Sequence, residues 1–169
     1  AYSNANLLDS TAITQLIEET RRQLGSIDVL INNAGIQYVS PIEDFPNEMY
    51  EKIIAINMNA VFYACKAAWK HMKKQKFGRI INISSVHGIR ASEFKSAYVT
   101  AKHGVVGMTK VMALEGAPYN ITCNAICPGY VKTPLVENQI KDQAKAHQLS
   151  EDEVIEKIML KKQAVKEFI

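Results

Sequence analysis

Three short apolar runs separated by helix-like stretches constrain this chain more than any other feature. They are "IDVLINNAG" from Ile27, "GRIINISS" from Gly78 and "ITCNAICPG" from Ile121. Each is rich in Ile or other apolar residues, lacks strict alternation and ends in small or turn-forming residues, which is how strands covered on both faces read. Between them the period changes to that of a helix. Residues 9–24 place Ile13, Leu16, Ile17 and Leu24 on one face, and Gly25 follows as a stop. A long helix is predicted from near Pro46 to about Lys74, and another from roughly Ser96 to Glu115. Such alternation implies crossover connections and a doubly wound parallel α/β sheet. Ligands of these sheets bind beyond the carboxyl ends of the strands. Here the strands end at Asn33-Ala34-Gly35, at Ser84-Ser85 and at Pro128-Gly129, so those three places should meet at one site.

Composition removes several alternatives. The 169 residues make one domain by length, and an apolar share of 47% allows a sizeable core. The net charge of +3 is mild, and the basic residues form no stripe of the kind a nucleic acid requires. Lys70, Lys73, Lys74 and Lys76 crowd one helix end, where the helix dipole accounts for them. Cys65, Cys123 and Cys127 are an odd number without metal-ligand spacing. Free thiols in a reducing, cytoplasmic setting are therefore expected, with no metal site. No apolar run approaches the ~20 residues of a membrane span, so no membrane partner is expected.

After Pro134 the chain turns polar and rich in Lys and Glu. Ser150 and Glu153 form a capping-box pattern ahead of Val154, Ile155, Ile158 and Met159. The expected division is a core over 1–134 carrying the chemistry and a helical flap over 135–169. "AYSNANLLDS" opens, and "KEFI" closes, as if in mid-protein.

The stretch "SSVHGIRASEFKSAYVTAK" holds the candidate chemistry. Tyr98 and Lys102 are four apart in a helical pattern and share a face. A surface tyrosine lying on a lysine stem would look the same. Ser85, at a strand end, gives the pair a different meaning, because all three can face one point above the sheet. A free phenol has a pKa of ~10 and is about 1% ionised near pH 8, so it is a poor base. A nearby ammonium favours the phenolate and would let it exchange a proton with an alcohol or ketone oxygen. The serine would hold that oxygen, and the hydride would need a cofactor. Asn57, in "AINMNAVF", interrupts the long helix and could open it locally, freeing a carbonyl for a water near Lys102. A tolerated polar residue is the plainer reading.

"NNAG" after the first strand, "NISS" ending the second, "YVTAK" on a helix and "PGYVKTP" after the third resemble the short-chain dehydrogenase/reductase family, in order and spacing, from about Asn6 to Thr133. The resemblance implies a Rossmann-like fold, a nicotinamide cofactor (NAD) and the catalytic set Asn57, Ser85, Tyr98 and Lys102. It places the cofactor against Asn6, Leu7, Asn33, Ala34, Gly35, Tyr98, Lys102, Pro128, Gly129, Val131 and Thr133. Asn6 stands where the family usually carries an aspartate for the adenine amino group. The family's first strands, their glycine-rich phosphate turn and its last strand are not among these residues, so the expectation is a piece of a longer enzyme. The implied assembly is a homotetramer, with "NAVFYACKAAWKHM" supplying helix faces for subunit contact.

The substrate end goes further. "NNAGIQ", "HMKKQKFGRIINI", "KSAYVTAKHGVVG" and "NAICPGYVKTPLVENQI" resemble the branch of that family that interconverts D-3-hydroxybutyrate and acetoacetate. By that resemblance Gln37, His87, Lys95 and Gln139 hold the substrate carboxylate of a small hydroxy or keto acid. Tyr130 packs where many relatives carry tryptophan, and the segment after Pro134 is a lid. A reductase of a thioester-linked ketone and a non-catalytic module serving oligomer contacts are the alternatives.

Overall fold

The computed structural model describes residues 1–161 and 163–168. Asp9 caps the first helix, α1 (Ser10–Leu24), by accepting from Thr11 N at 2.8 Å, and Gly25 ends it at φ 87°, where a residue with a Cβ would be strained. Ile13 and Ile17 are buried as expected, but Leu24 is 70% exposed because the last turn overhangs its support.

The sheet is three parallel strands in sequence order: β1 (Val29–Asn32), β2 (Gly78–Ile83) and β3 (Ile121–Ile126). Val29 pairs with Arg79 and Asn32 with Asn82, while Gly78 pairs with Ile121 and Ile83 with Ile126. The first strand begins at Val29 rather than Ile27, though Ile27 is buried all the same. Between β1 and β2 run α2 (Asn47–Ile54), one π-helical segment (Ala55–Asn59) and α3 (Ala60–Gln75). Between β2 and β3 runs α4 (Ser96–Gly116).

Side chains of α1, α3 and α4 pack with Ile80, Ile121 and Cys123 in one cluster that includes Ile17, Val61, Cys65, Ala68, Met72 and Val105. All three helices therefore cover the same face. The expectation that the strands are covered on both faces does not hold within this chain, since Val29, Ile31 and Ile126 are exposed on the other side. The apolar runs record two-sided burial, and these helices supply cover on one side.

A buried polar chain keys that covered face. Asn32 donates to Asn82 Oδ1 at 2.8 Å, Asn82 to Thr109 Oγ1 at 2.9 Å, and Thr109 to Val105 O at 2.7 Å. It links β1, β2 and α4 directionally, as apolar packing alone cannot.

Past β3, Thr133 caps α5 (Pro134–His147), and the capping box of Ser150 and Glu153 opens α6 (Glu151–Val154). Val136, Ile140, Val154 and Met159 form a small apolar cluster of their own. Among the described residues no helix is long and apolar enough to cross a membrane, and no group of three His, Cys, Asp or Glu is placed to hold a metal.

Candidate active site

The three strand ends converge as the topology requires. Asn33, Ala34 and Gly35 beyond β1, Ser84 and Ser85 beyond β2, and Pro128 and Gly129 beyond β3 line one cavity of about 570 Å³. Tyr98 and Lys102 of α4 line it too, with His87, Tyr130, Val131, Thr133 and Gln139.

The two serines part company. Ser84 donates to the backbone carbonyl of Lys102 at 3.0 Å and so ties the strand end to α4. Gly88 permits that approach, because a Cβ there would lie 2.5 Å from Ser84 Oγ and 2.9 Å from Lys102 O. Ser85 Oγ is left to accept the His87 backbone N–H at 3.1 Å and to meet the Tyr98 phenol.

Lys102 is buried and donates from Nζ to Ile83 O at 2.7 Å. Its ammonium lies 5.5 Å from the centre of the Tyr98 ring. Burial pulls Lys102 down to about 8, against a smaller opposing influence of Cys127. Tyr98 is raised by burial, with the Ser85 hydroxyl partly offsetting that. The expected depression of the phenol by the ammonium is thus not what this site gives. Both groups lose water, and burial is the largest influence on each.

Asn57 sits in the π-helical segment, 1% exposed, where a widened turn is a recurrent mark of functional sites. Its side chain grips the loop after β1, accepting from Ile36 N at 2.9 Å and donating to Ile36 O at 2.8 Å. Gly35 lies between Asn57 and Lys102, since a Cβ there would fall 3.6 Å from Asn57 Oδ1 and 3.9 Å from Lys102 Nζ.

On the other side, Lys95 is 1% exposed and donates to Tyr130 Oη at 3.2 Å and to Gln139 Oε1 at 3.1 Å. Burial pulls it down to about 8. The preceding residue, Phe94, holds a left-handed φ of 63°, a strained turn that delivers Lys95 inward. His87 is pushed down to about 4 by burial first and by the Lys95 charge second. Its ring is therefore neutral near pH 7, with Nδ1 3.3 Å from Ser85 Oγ and Nε2 2.8 Å from Ser92 Oγ.

Asn6, Leu7, Gln37, Asn57 and Lys95 are not among the residues that line the cavity, and Lys95 is tied to its wall through Tyr130 and Gln139. Asn6 Oδ1 already accepts from Leu8 N at 3.0 Å in a turn ahead of α1, and Leu7 packs with Ile13, Ala60 and Ala64. Gln37 is outside the cavity lining, and both its buried amide atoms lack hydrogen-bond partners. Conversely, three residues were not singled out from the sequence. Gln143 lies beside the Tyr130 phenol, Gln163 accepts from Tyr130 N at 3.4 Å, and Ser92 meets His87. Gln143 is one helical turn beyond Gln139, a spacing that could have found it. Ser92 carries no such signal.

The cavity fits a nicotinamide and its ribose. Ala34 and Gly35 provide a floor that backbone can approach closely, no acidic residue lines the space, and Lys102 keeps two ammonium protons after serving Ile83. A parallel α/β sheet whose strand ends meet at one cavity is the arrangement of the dinucleotide-binding class of fold. Within that class, residues 1–144 match the short chain dehydrogenase family model, and the chain belongs to that family. It is 50% identical over 165 residues to the D-beta-hydroxybutyrate dehydrogenase of Rhizobium meliloti, covering 98% of this chain and 64% of that protein. The enzyme of the same name from Cupriavidus necator is 44% identical over 168 residues, covering 99% and 65%. A solved NAD+-bound xylitol dehydrogenase superposes with a TM-score of 0.92 at 30% identity, over 98% of this chain and 66% of that one. The chain spans less than two thirds of the length of these two curated relatives.

Proposed function

We propose that the protein interconverts D-3-hydroxybutyrate and acetoacetate with NAD. The observation that carries this reading is the Lys95 ammonium, 1% exposed and pinned between Tyr130 and Gln139, whose side chains form the cavity wall near Ser85 and Tyr98. A buried cation without a carboxylate partner is costly. A substrate carboxylate would remove that cost, whereas a neutral thioester would leave it in place.

Tyr98 exchanges the proton with the substrate oxygen, and Ser85 holds that oxygen. Lys102 stabilises the phenolate and reaches the ribose, while Asn57 fixes the loop beneath. Asn33, Ala34, Gly35, Pro128, Gly129, Val131 and Thr133 border the nicotinamide, and Asn6 and Leu7 lie on the adenine side. Gln37, His87, Lys95, Tyr130 and Gln139 surround the acid end. The bound nicotinamide supplies the carbon that accepts or donates hydride. Residues 135–169 act as a lid that excludes water. Subunits join as a homotetramer in the cytoplasm, a reading supported by exposed Phe62, Val111 and Leu114 on α3 and α4 and by three free thiols.

The test is NAD reduction by D-3-hydroxybutyrate and by its neutral methyl ester. The acid should be preferred, and Lys95→Ala should cut that preference by about ten- to a hundred-fold, as for a lost charge-assisted hydrogen bond. Equal use of acid and ester by the unaltered protein would overturn the assignment of an acid substrate.

A further inference from the structure

Ser92 reaches the site from the surface without belonging to the proposed machinery. It is exposed, yet its Oγ lies 2.8 Å from Nε2 of His87, a residue only 5% exposed. On the far side of the ring, Nδ1 lies 3.3 Å from Ser85 Oγ; Ser85 lines the same cavity as Tyr98, whose ring centre is 6.0 Å from that of His87 and whose phenol pKa the serine hydroxyl lowers. Tyr98, Ser85, His87 and Ser92 therefore stand in series from the catalytic phenol to solvent.

Such a series has two self-consistent arrangements. A hydroxyl donates one proton, and a neutral imidazole carries one N–H. In the first arrangement Tyr98 donates to Ser85, Ser85 donates to Nδ1, and Nε2–H donates to Ser92. In the second every bond is reversed, so Ser92 donates to Nε2, Nδ1–H donates to Ser85, and Ser85 donates to the Tyr98 oxygen. The first suits a phenol and the second a phenolate. The choice depends on the ring having one proton and one orientation. Around His87 stand Lys95 from the turn before α4, Tyr98 and His103 on α4, and Tyr130 from the segment after β3. The Lys95 charge and burial both oppose an imidazolium, so the ring is neutral and has a tautomer to be fixed.

We propose that Ser92 is a positioning residue: by holding Nε2 it fixes the plane of His87 and ties the ring's tautomer to the protonation of Tyr98, the Nε2–H form going with the neutral phenol, and through Nδ1 it aims the Ser85 hydroxyl. The effect on turnover rests on the proposed acid/base roles of Ser85 and Tyr98, whereas the effect on the ring does not.

The test compares Ser92→Ala with Ser92→Thr, which keeps a hydroxyl. Nitrogen-15 NMR of His87 in the purified protein, without cofactor or substrate, should show one tautomer with well-separated Nδ1 and Nε2 shifts. Ser92→Ala should bring the two shifts toward an average, and Ser92→Thr should restore them. In turnover, Ser92→Ala should lower kcat about two- to ten-fold, as for one neutral hydrogen bond. The KM for NAD should be unchanged, the pH–rate midpoint should move, and the threonine variant should recover both. An averaged ring in the unaltered protein, or an unchanged ring in Ser92→Ala, overturns the proposal. If no hydroxy acid is turned over at all, that counts against the proposed function, and the ring spectra still decide the role of Ser92.

Discussion

A buried phenol and a buried ammonium each resist charging, and at residue scale this sets the chemistry of the pair. Tyr98 is raised and Lys102 lowered to about 8, both by burial. In the proposed role, Tyr98 is ionised with the help of the Ser85 hydroxyl at its oxygen and of the Lys102 ammonium 5.5 Å from the ring centre. Tyr98→Phe should lower kcat by at least about a hundred-fold, the scale of general acid–base catalysis, while isothermal calorimetry finds NAD affinity nearly unchanged. Lys102→Ala should damage both. Lys95 gives a pH prediction with a definite sign. Its buried ammonium deprotonates near 8, so the KM for the acid should rise as pH is taken from 7 to 9.5. In Lys95→Ala it should be high and flat. Stability runs the other way. An unfolded lysine holds its proton up to about 10.4, so between about 8 and that value the unfolded state binds more protons at Lys95, and the contribution of this residue to stability rises with pH. Lys95→Met should flatten that part of a denaturation-midpoint profile. The Ser85, Tyr98 and Lys102 grouping was legible because helical spacing and a strand end fix where such residues point. The neutral state of His87 was not, because it follows from burial and from Lys95 eight residues away.

At the scale of elements, a polar residue inside an apolar helix was the most informative signal. Asn57 lies where the helix widens into a π turn, and its amide serves both backbone groups of Ile36. An asparagine competes for backbone hydrogen bonds, which is why the break was readable from sequence. Its partner in the loop after β1 was not, since nothing local in "NNAGIQ" names it. Asn57→Ala would leave the N–H and C=O of half-buried Ile36 without the Asn57 amide. That costs about 1–3 kcal/mol for each group that water cannot reach, to be seen as a lower urea midpoint. Turnover should also fall, because Gly35 lies against both Asn57 and Lys102. Asn57→Leu, close in volume, should destabilise similarly, which separates a lost hydrogen bond from a lost volume. Strand positions were legible from the apolar runs, but their exposed face was not. Sequence reports a strand's need for cover, and the cover itself depends on which elements reach it.

For the molecule as a whole, the question is how the cavity closes. Val136 and Ile140 of α5, Val154 of α6 and Met159 of the π-helical turn that follows (Ile155–Met159) bury mainly among themselves, so this unit has a core separate from the sheet's. Polar contacts join this unit to the body, chiefly Gln139 of α5 to Lys95 and Tyr130 N to Gln163. A unit with its own apolar cluster and a polar seam can shift as one piece without exposing the main core. Its seam also carries buried amide nitrogens on Gln143 and Gln163 that find no partner among the described residues, donors that an anionic ligand or a rearranged lid would satisfy. The helices α5 and α6 should therefore exchange backbone amide hydrogens faster than α3 or α4 in the free protein. Adding NAD and acetoacetate should slow exchange across α5 and α6 together. Gln139→Leu removes the acceptor of Lys95 and keeps an apolar side chain on the helix, so α5 should remain folded while the protection by acetoacetate falls. If acetoacetate protects α5 but not α6, or if Gln139→Leu leaves the protection intact, the two helices do not close as one lid and Gln139 is not what couples closure to the acid.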